Sequence, residues 1–587
     1  MEPAKTESLG SITKRLVRLR IWLSEHVRIS ELQATLLWAA LIGVAGAWSS
    51  IAFREITDLL HKLATGSDGG YVESFTLLPP WRRIAVPAIG GLFAGLTLFL
   101  GTRFKSKQNS TDYMEAVVVG NGNLSVRASL VKSISALFSG ATGASIGREG
   151  PLVQLSSLVA SVIGQWFKFP LARRRQMVAC GAAAGIASAY NAPIAGAFFV
   201  AEIVLGSMAM NAFGPLVIAS LASTLTTRAY MGSEALYAAP IFTLHGNRDF
   251  LAYLALGIAC GFIAPAFLNF LKVSERGFSK LKLPAYIRLA IGGAIVGLLA
   301  IYRPEVCGNG RSLVFAILNH PGTWQALAIV LACKLLATGA TFGSGAVGGV
   351  FTPTLFTGAA CGYLFGALCT FLLPGWGMQP GAFGLVGMGA FLAAATGAPV
   401  MAIIMIFELT LNYEILMPVM LAAVVSYYIC RSITSRSLYG DALARKGQHA
   451  VTERLGTLKV VDLMQPRGDS LKLDSSFGLV ARSFLQNRHD FLPVVDGDHF
   501  SGIVLLHDIK PYLDQPELES LLIARDVMRE GTSSLNAKQT LEEALHIFAR
   551  SDTERLPVLD DQAHLLGSLT KSDVLLFLAG IPKSTEA

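Results

Sequence analysis

The chain has 587 residues, 52% of them hydrophobic and 15% charged, with a formal net charge of +8 and a mean hydropathy of +0.51. Soluble globular proteins carry about 25% charged residues, so this composition excludes an ordinary soluble enzyme and points to a polytopic membrane protein over most of the length. The basic excess reads as a topology signal, not a nucleic-acid surface.

Residues 1–30 form an amphipathic lead, basic from Lys14 to Arg28, that fits the cytosolic face and lacks the pattern of a cleaved signal peptide. Membrane-spanning material runs over 31–440. Leu32–Phe53 and Leu251–Leu271 are uncharged runs long enough to cross a bilayer, and Leu335–Phe407 contains no Asp, Glu, Lys, Arg or His. Arg15, Arg18 and Arg20 precede the first span, and Arg431, Arg436, Arg445 and Lys446 follow the last, so both termini read as cytosolic. The seven cysteines lack metal-ligand spacing and read as packing residues. No nucleophile–base pair or metal cluster suggests an enzyme.

Within the apolar field stands Gly147-Arg148-Glu149-Gly150-Pro151. Charges inside a membrane are expensive, and by default they mark an ion path. Here they sit at a glycine-rich break before a helix start, where backbone N–H groups and a partial positive charge favour an anion. A carboxylate there competes with that anion. The break recurs about 200 residues later at Gly343–Pro353. Downstream of each copy comes an Ala-rich run with an Asn/Gly-Ala-Pro step, Asn191-Ala192-Pro193 and Gly397-Ala398-Pro399, ending in Glu202 and Glu408 respectively. Paired Gly/Pro-interrupted segments suggest a repeat transporter with its site at the midplane.

A short polar linker, 441–456, leads to a soluble region of mixed strand and helix patterns. It repeats with a period of about 64 residues, Leu492-Pro493-Val494-Val495-Asp496 returning as Leu556-Pro557-Val558-Leu559-Asp560. The copies are assigned to 457–515 and 516–580, with a tail at 581–587.

On Gly147–Pro151, Gly349-Val350-Phe351-Thr352-Pro353 and Tyr439 together, the membrane region resembles the CLC chloride channels and chloride/proton antiporters, in a bacterial ClcB-like branch. The soluble region resembles a tandem pair of CBS domains. The resemblance implies an all-α polytopic membrane protein with two inverted structural repeats (the CLC fold), followed by a soluble α/β CBS pair. It implies a homodimer in a bacterial inner membrane, with one anion path per subunit, chloride as bound ion and no required cofactor. Glu149 is the expected gate: ionised, it occupies an anion site; protonated, it swings away. Gly349, Val350 and Phe351 are expected to offer backbone N–H groups and Tyr439 its hydroxyl. The family's Gly-Ser-Gly-Ile-Pro-Glu loop is matched by Ser110-Thr111-Asp112-Tyr113-Met114-Glu115, so Thr111 supplies the hydroxyl, or Ser110 if the register slips by one. Asp112 is expected to cap the helix that follows.

A second departure bears on protons. The internal glutamate of the antiporters lies immediately after the position of Glu202, and here that place is Ile203. Channel-like conduction is therefore favoured over chloride/proton exchange, with Glu202 the remaining candidate for a proton route. A fluoride transporter is a more distant alternative. In the CBS pair, Thr570 and Asp573 match a phosphate- and ribose-binding pattern; the first copy keeps Asp508 but has Leu505 in place of the threonine. An adenine nucleotide is thus expected at one cleft.

Overall fold

The structure is a computed structural model that describes residues 31–102, 110–118, 120–206, 209–232, 237, 246–319, 322–434, 437–439, 458–486, 491–512, 521–551 and 553–578. The amphipathic lead with Arg15, Arg18 and Arg20, Arg436, the linker with Arg445 and Lys446, and the tail lie outside the described residues. The chain divides into two compact units, Met1–Leu443 and Ala444–Ala587.

The first unit is helical. In chain order it contains α1 (Glu31–Thr65), α2 (Tyr71–Leu77), α3 (Pro80–Thr102), α4 (Tyr113–Val118), α5 (Val126–Ala141), α6 (Glu149–Trp166), α7 (Leu171–Tyr190) and α8 (Pro193–Phe199), which continues as a π-helical turn over Val200–Leu205. The second half contains α9 (Met210–Met231), α10 (Asn247–Lys280), α11 (Ala285–Tyr302), α12 (Arg311–Asn319), α13 (Trp324–Ser344), α14 (Phe351–Leu372), α15 (Pro380–Thr396), α16 (Pro399–Thr410) and α17 (Leu416–Ile433). Among the described residues seven helices are long and apolar enough to cross a membrane. Several others, including α16 and α15, are apolar but shorter, as expected of broken helices that end at depth.

The core follows from patterning. α15 has no polar face, and every residue from Ala382 to Thr396 is buried. It meets α14 through glycines: a Cβ added at Gly358 would stand 2.5 Å from the Gly387 carbonyl oxygen, so the backbones approach as only small residues permit. Lys334 on α13 is buried and donates to the carbonyl oxygens of Val306 and Gly308, both at 2.7 Å, which gives two of its ammonium donors partners inside the unit.

The breaks at Gly147 and Gly349 form an isolated antiparallel bridge. α6 and α14 start two residues after these glycines, at Glu149 and Phe351. Equivalent residues of the two halves thus meet head to head, as a two-fold axis between inverted repeats requires.

Among the described residues the second unit holds two small sheets. One has strand order β2 (Leu471–Lys472), β3 (Phe491–Asp496), β4 (His499–Leu505); the other has order β1 (Gln465–Pro466), β7 (Leu565–Thr570), β6 (Arg555–Leu559), β5 (Leu535–Asn536). The leading segments are exchanged. β1 pairs with β7 of the second copy, and Arg529 bridges Ile503 of the first. Val460 accordingly lies in the second core, and Ala524 and Val527 in the first. The glycine shared by both copies has its reason here: a Cβ on Gly502 would meet the Arg529 carbonyl oxygen at 2.6 Å, and one on Gly567 would strike Gln465.

Candidate anion site

Glu149 opens α6 and Phe351 opens α14, and neither helix has a side-chain cap at its N-terminus. Uncapped N-terminal N–H groups and two partial positive charges therefore converge on one place. The Glu149 carboxylate fills it. Its Oε1 accepts from the Tyr190 hydroxyl at 2.6 Å and from the Thr352 hydroxyl, and those two hydroxyls are 3.0 Å apart. Its Oε2 has no hydrogen-bond partner and rests between Gly147 and Gly349. A Cβ on Gly349 would stand 2.6 Å from Oε2, and one on Gly147 would overlap it. The carboxylate thus occupies a cradle that exists because both positions lack a side chain. Gly150 and Pro151 complete the first turn of α6, Pro151 in a position that needs no N–H partner.

On one side the carboxylate borders a cavity of about 290 Å³, lined among others by Arg54, Asp58, Tyr71, Arg148, Tyr190, Tyr237 and Arg311. Arg148 is not free to follow an anion. It pairs with Asp58 at 3.1 Å, donates to the Tyr71 hydroxyl and lies over that ring. Arg54 is spent on the carbonyl oxygens of Ser188 and Ala189, at 3.1 and 2.6 Å.

On the other side lie the remaining expected residues. Val350 and Phe351 are buried. Phe351 packs on Tyr190 with centroids 5.0 Å apart and on Phe199 at 6.5 Å, and Phe199 meets Tyr439 edge-on at 5.4 Å. Tyr113, from the loop that matches the family's Gly-Ser-Gly-Ile-Pro-Glu segment, is a further buried phenol. Ser110 is buried with its hydroxyl turned onto Gly120, while Thr111 is exposed. Asp112 accepts from the Met114 backbone N–H at 3.0 Å and so caps α4.

Glu202 stands apart from this cluster. Its carboxylate accepts from the backbone N–H groups of Val400 and Met401, at 3.3 and 2.8 Å, at the start of α16. Glu408 does the same for Ile194 and Ala195 at the start of α8, at 2.9 and 2.8 Å. Ile203 packs against the hydrophobic core.

In the second unit, Thr570 accepts from the Asp573 backbone N–H at 2.9 Å, and Asp573 accepts from Gln465 of the exchanged segment at 3.1 Å. At the equivalent place Asp508 is held by two 2.7 Å hydrogen bonds from Arg529. Thr570 and Asp573 are therefore brought together, and Asp508 is neutralised.

A family model for voltage gated chloride channels matches residues 90–431, and a CBS-domain model matches residues 460–514 and 524–580. The chain is 48% identical over 411 residues to a ClcB-like chloride channel protein of Ralstonia nicotianae, covering 69% of this chain and 96% of that one. The chain belongs to the voltage gated chloride channel family. Members of this family move chloride through a membrane domain, and here that domain is joined to a CBS pair. The voltage-gated ClC-type chloride channel ClcB of Escherichia coli O81 is 40% identical, over 70% of this chain and 98% of that one. The fold is shared with a slow cyanobacterial Cl⁻/H⁺ antiporter (TM-score 0.63, 24% identity, 70% of this chain and 97% of that one). It is also shared with a eukaryotic CLC transporter (TM-score 0.60, 17% identity, 93% of this chain and 99% of that one).

Sequence reasoning missed Tyr190, Thr352 and Tyr237. The signal was available for two of them: Tyr190 immediately precedes the Asn-Ala-Pro step, and Thr352 stands in the second glycine-rich motif.

Proposed function

We propose that the membrane unit conducts chloride passively along a path that the Glu149 carboxylate closes. The observation that carries this reading is the seat of that carboxylate. It takes the space between two uncapped helix N-termini that a dehydrated anion needs. Phe351 and Val350 offer backbone N–H groups on the inner side, and Tyr439 offers its hydroxyl; the exposed Thr111 is not part of this cluster. Protonation removes the charge that holds the carboxylate in place, and chloride takes over the seat.

Channel behaviour is supported by the proton side of the structure. Ile203 holds no proton, and the Glu202 carboxylate is committed to two backbone N–H groups of α16. In a bacterial inner membrane with cytosolic termini, such a path serves charge balance when protons cross. The homodimer is part of this reading, as is an adenine nucleotide at the cleft where Thr570 and Asp573 stand together, whereas the first cleft has Leu505 in place of the threonine.

The test is the zero-current potential of the purified protein in liposomes, under a chloride gradient with and without an opposing pH gradient. A potential that follows chloride alone supports the channel. A potential that shifts with pH in a fixed ratio makes the protein a chloride/proton antiporter.

A further inference from the structure

The cradle around Glu149 contains two hydroxyls that an anion path does not by itself require. Tyr190 ends α7 and Thr352 lies in the first turn of α14, so they come from different halves of the chain, 162 residues apart. Both are buried, and both reach the same carboxylate oxygen, Oε1. The other oxygen has no donor. Among the described residues, the side-chain donors that hold this carboxylate are thus one pair.

We propose that the Tyr190 and Thr352 hydroxyls are a latch that keeps the Glu149 carboxylate in the anion path, and that the strength of this latch sets the pH at which the path opens. The inference rests on the reading of Glu149 as the gate. Hydrogen bonds from a neutral hydroxyl to an ionised carboxylate favour the ionised form. The proton that releases the gate comes from water in the cavity beside it. Tyr190 and Thr352 are positioning residues: they act on flux only through Glu149.

The other charged or titratable groups around the carboxylate do not replace the pair. Arg148, on its own element, is tied to Asp58 of α1 and Tyr71 of α2. Arg54 of α1 is held by carbonyl oxygens of α7, and His61 of α1 bonds to the Ala141 carbonyl and the Ser74 hydroxyl. Arg311 of α12 and Tyr237 line the same cavity without a hydrogen bond to the carboxylate, and Tyr439 lies on the other side against Phe199. The Tyr237 hydroxyl makes no hydrogen bond at all.

The experiment is chloride flux from liposomes against external pH for the wild type, Tyr190→Phe, Thr352→Val, Thr352→Ser, Glu149→Ala and the double variant Glu149→Ala/Tyr190→Phe. Tyr190→Phe keeps the ring that packs on Phe351, and Thr352→Val keeps the volume. Loss of one charge-assisted hydrogen bond is expected to raise the pH of half-maximal flux by about one unit, a tenfold change in proton concentration. Thr352→Ser keeps the hydroxyl and the wild-type midpoint. Glu149→Ala is expected to show no pH dependence, and adding Tyr190→Phe to it no further change. A wild-type midpoint in both folded single variants overturns the latch while leaving the gate. An effect of Tyr190→Phe that persists without Glu149 makes Tyr190 a permeation residue and also overturns it. Full pH dependence in Glu149→Ala removes the gate itself, a distinct failure.

Discussion

Gly147 and Gly349 hydrogen-bond to each other in both directions, N–H to carbonyl oxygen at 2.7 and 2.9 Å. They are equivalent residues of the two halves, so one short bridge fixes where both broken helices begin. That bridge delivers the N-termini of α6 and α14 to a common point and leaves room for a carboxylate between them. The seat of the Glu149 carboxylate is thus a consequence of the repeat: neither half contains it alone.

Gly349→Ala is the direct probe of that room. Its Cβ would stand 2.6 Å from Glu149 Oε2. Crowding of this kind costs about 1–3 kcal/mol, comparable to the ~1.5–3 kcal/mol of a hydrogen bond to a charged group. The carboxylate should therefore be displaced, and chloride flux at neutral pH should rise with a flattened pH profile. Flux assays on a variant shown to be folded by size-exclusion chromatography check this.

The reciprocal caps of Glu202 and Glu408 predict a stability effect. Each carboxylate satisfies two orphan N–H groups at the second and third residues of the other repeat's helix. Replacing either by Ala should cost about 1–2 kcal/mol, as the loss of a helix cap does, and lower the melting temperature in detergent. The zero-current potential of Glu202→Ala should not change. A lost pH response with unchanged stability would make Glu202 a proton carrier.

The CBS pair should answer to nucleotide through its second cleft. ATP at about 100 times its dissociation constant should stabilise the protein by about 2.7 kcal/mol, visible as a rise in melting temperature. Asp573→Ala should abolish the rise, and Asp508→Ala should leave it, because Asp508 is already engaged by Arg529.

Asp560 gives that unit an acid-side linkage. Hydrogen bonds from the His564 backbone and ring hold its carboxyl below the ordinary value of 3.8. A carboxyl depressed by folding stabilises the fold above its unfolded value, and that contribution is lost as pH falls through the folded value. Asp560→Asn should therefore lower the melting temperature of the CBS transition at pH 6, and the difference from wild type should shrink as pH drops below about 4. Paired thermal melts at the two pH values check it.

Much of the architecture was legible in the sequence. Glycine and proline mark helix breaks chemically, so Gly147–Pro151 and Gly349–Pro353 announced both helix starts, and Asp112 announced its cap. The reciprocity of Glu202 and Glu408 was not legible. The sequence displays two carboxylates 206 residues apart, but each caps a helix of the opposite half, and only long-range closure shows that. Tyr190 and Thr352 were missed for a related reason. Inside apolar runs a hydroxyl reads as packing, and its partner here belongs to another element. In the soluble unit the period was plain, whereas the exchange of leading segments was not, because exchange leaves the order of motifs along the chain unchanged.

The central claim is that the Glu149 side chain closes the anion path, and chloride efflux from liposomes reconstituted with Glu149→Gln tests it most directly. Sustained flux at neutral pH that no longer rises on acidification is the expected result, since the neutral amide mimics the released gate. Flux that is absent at every pH in a folded protein, or that keeps the wild-type pH profile, would contradict it.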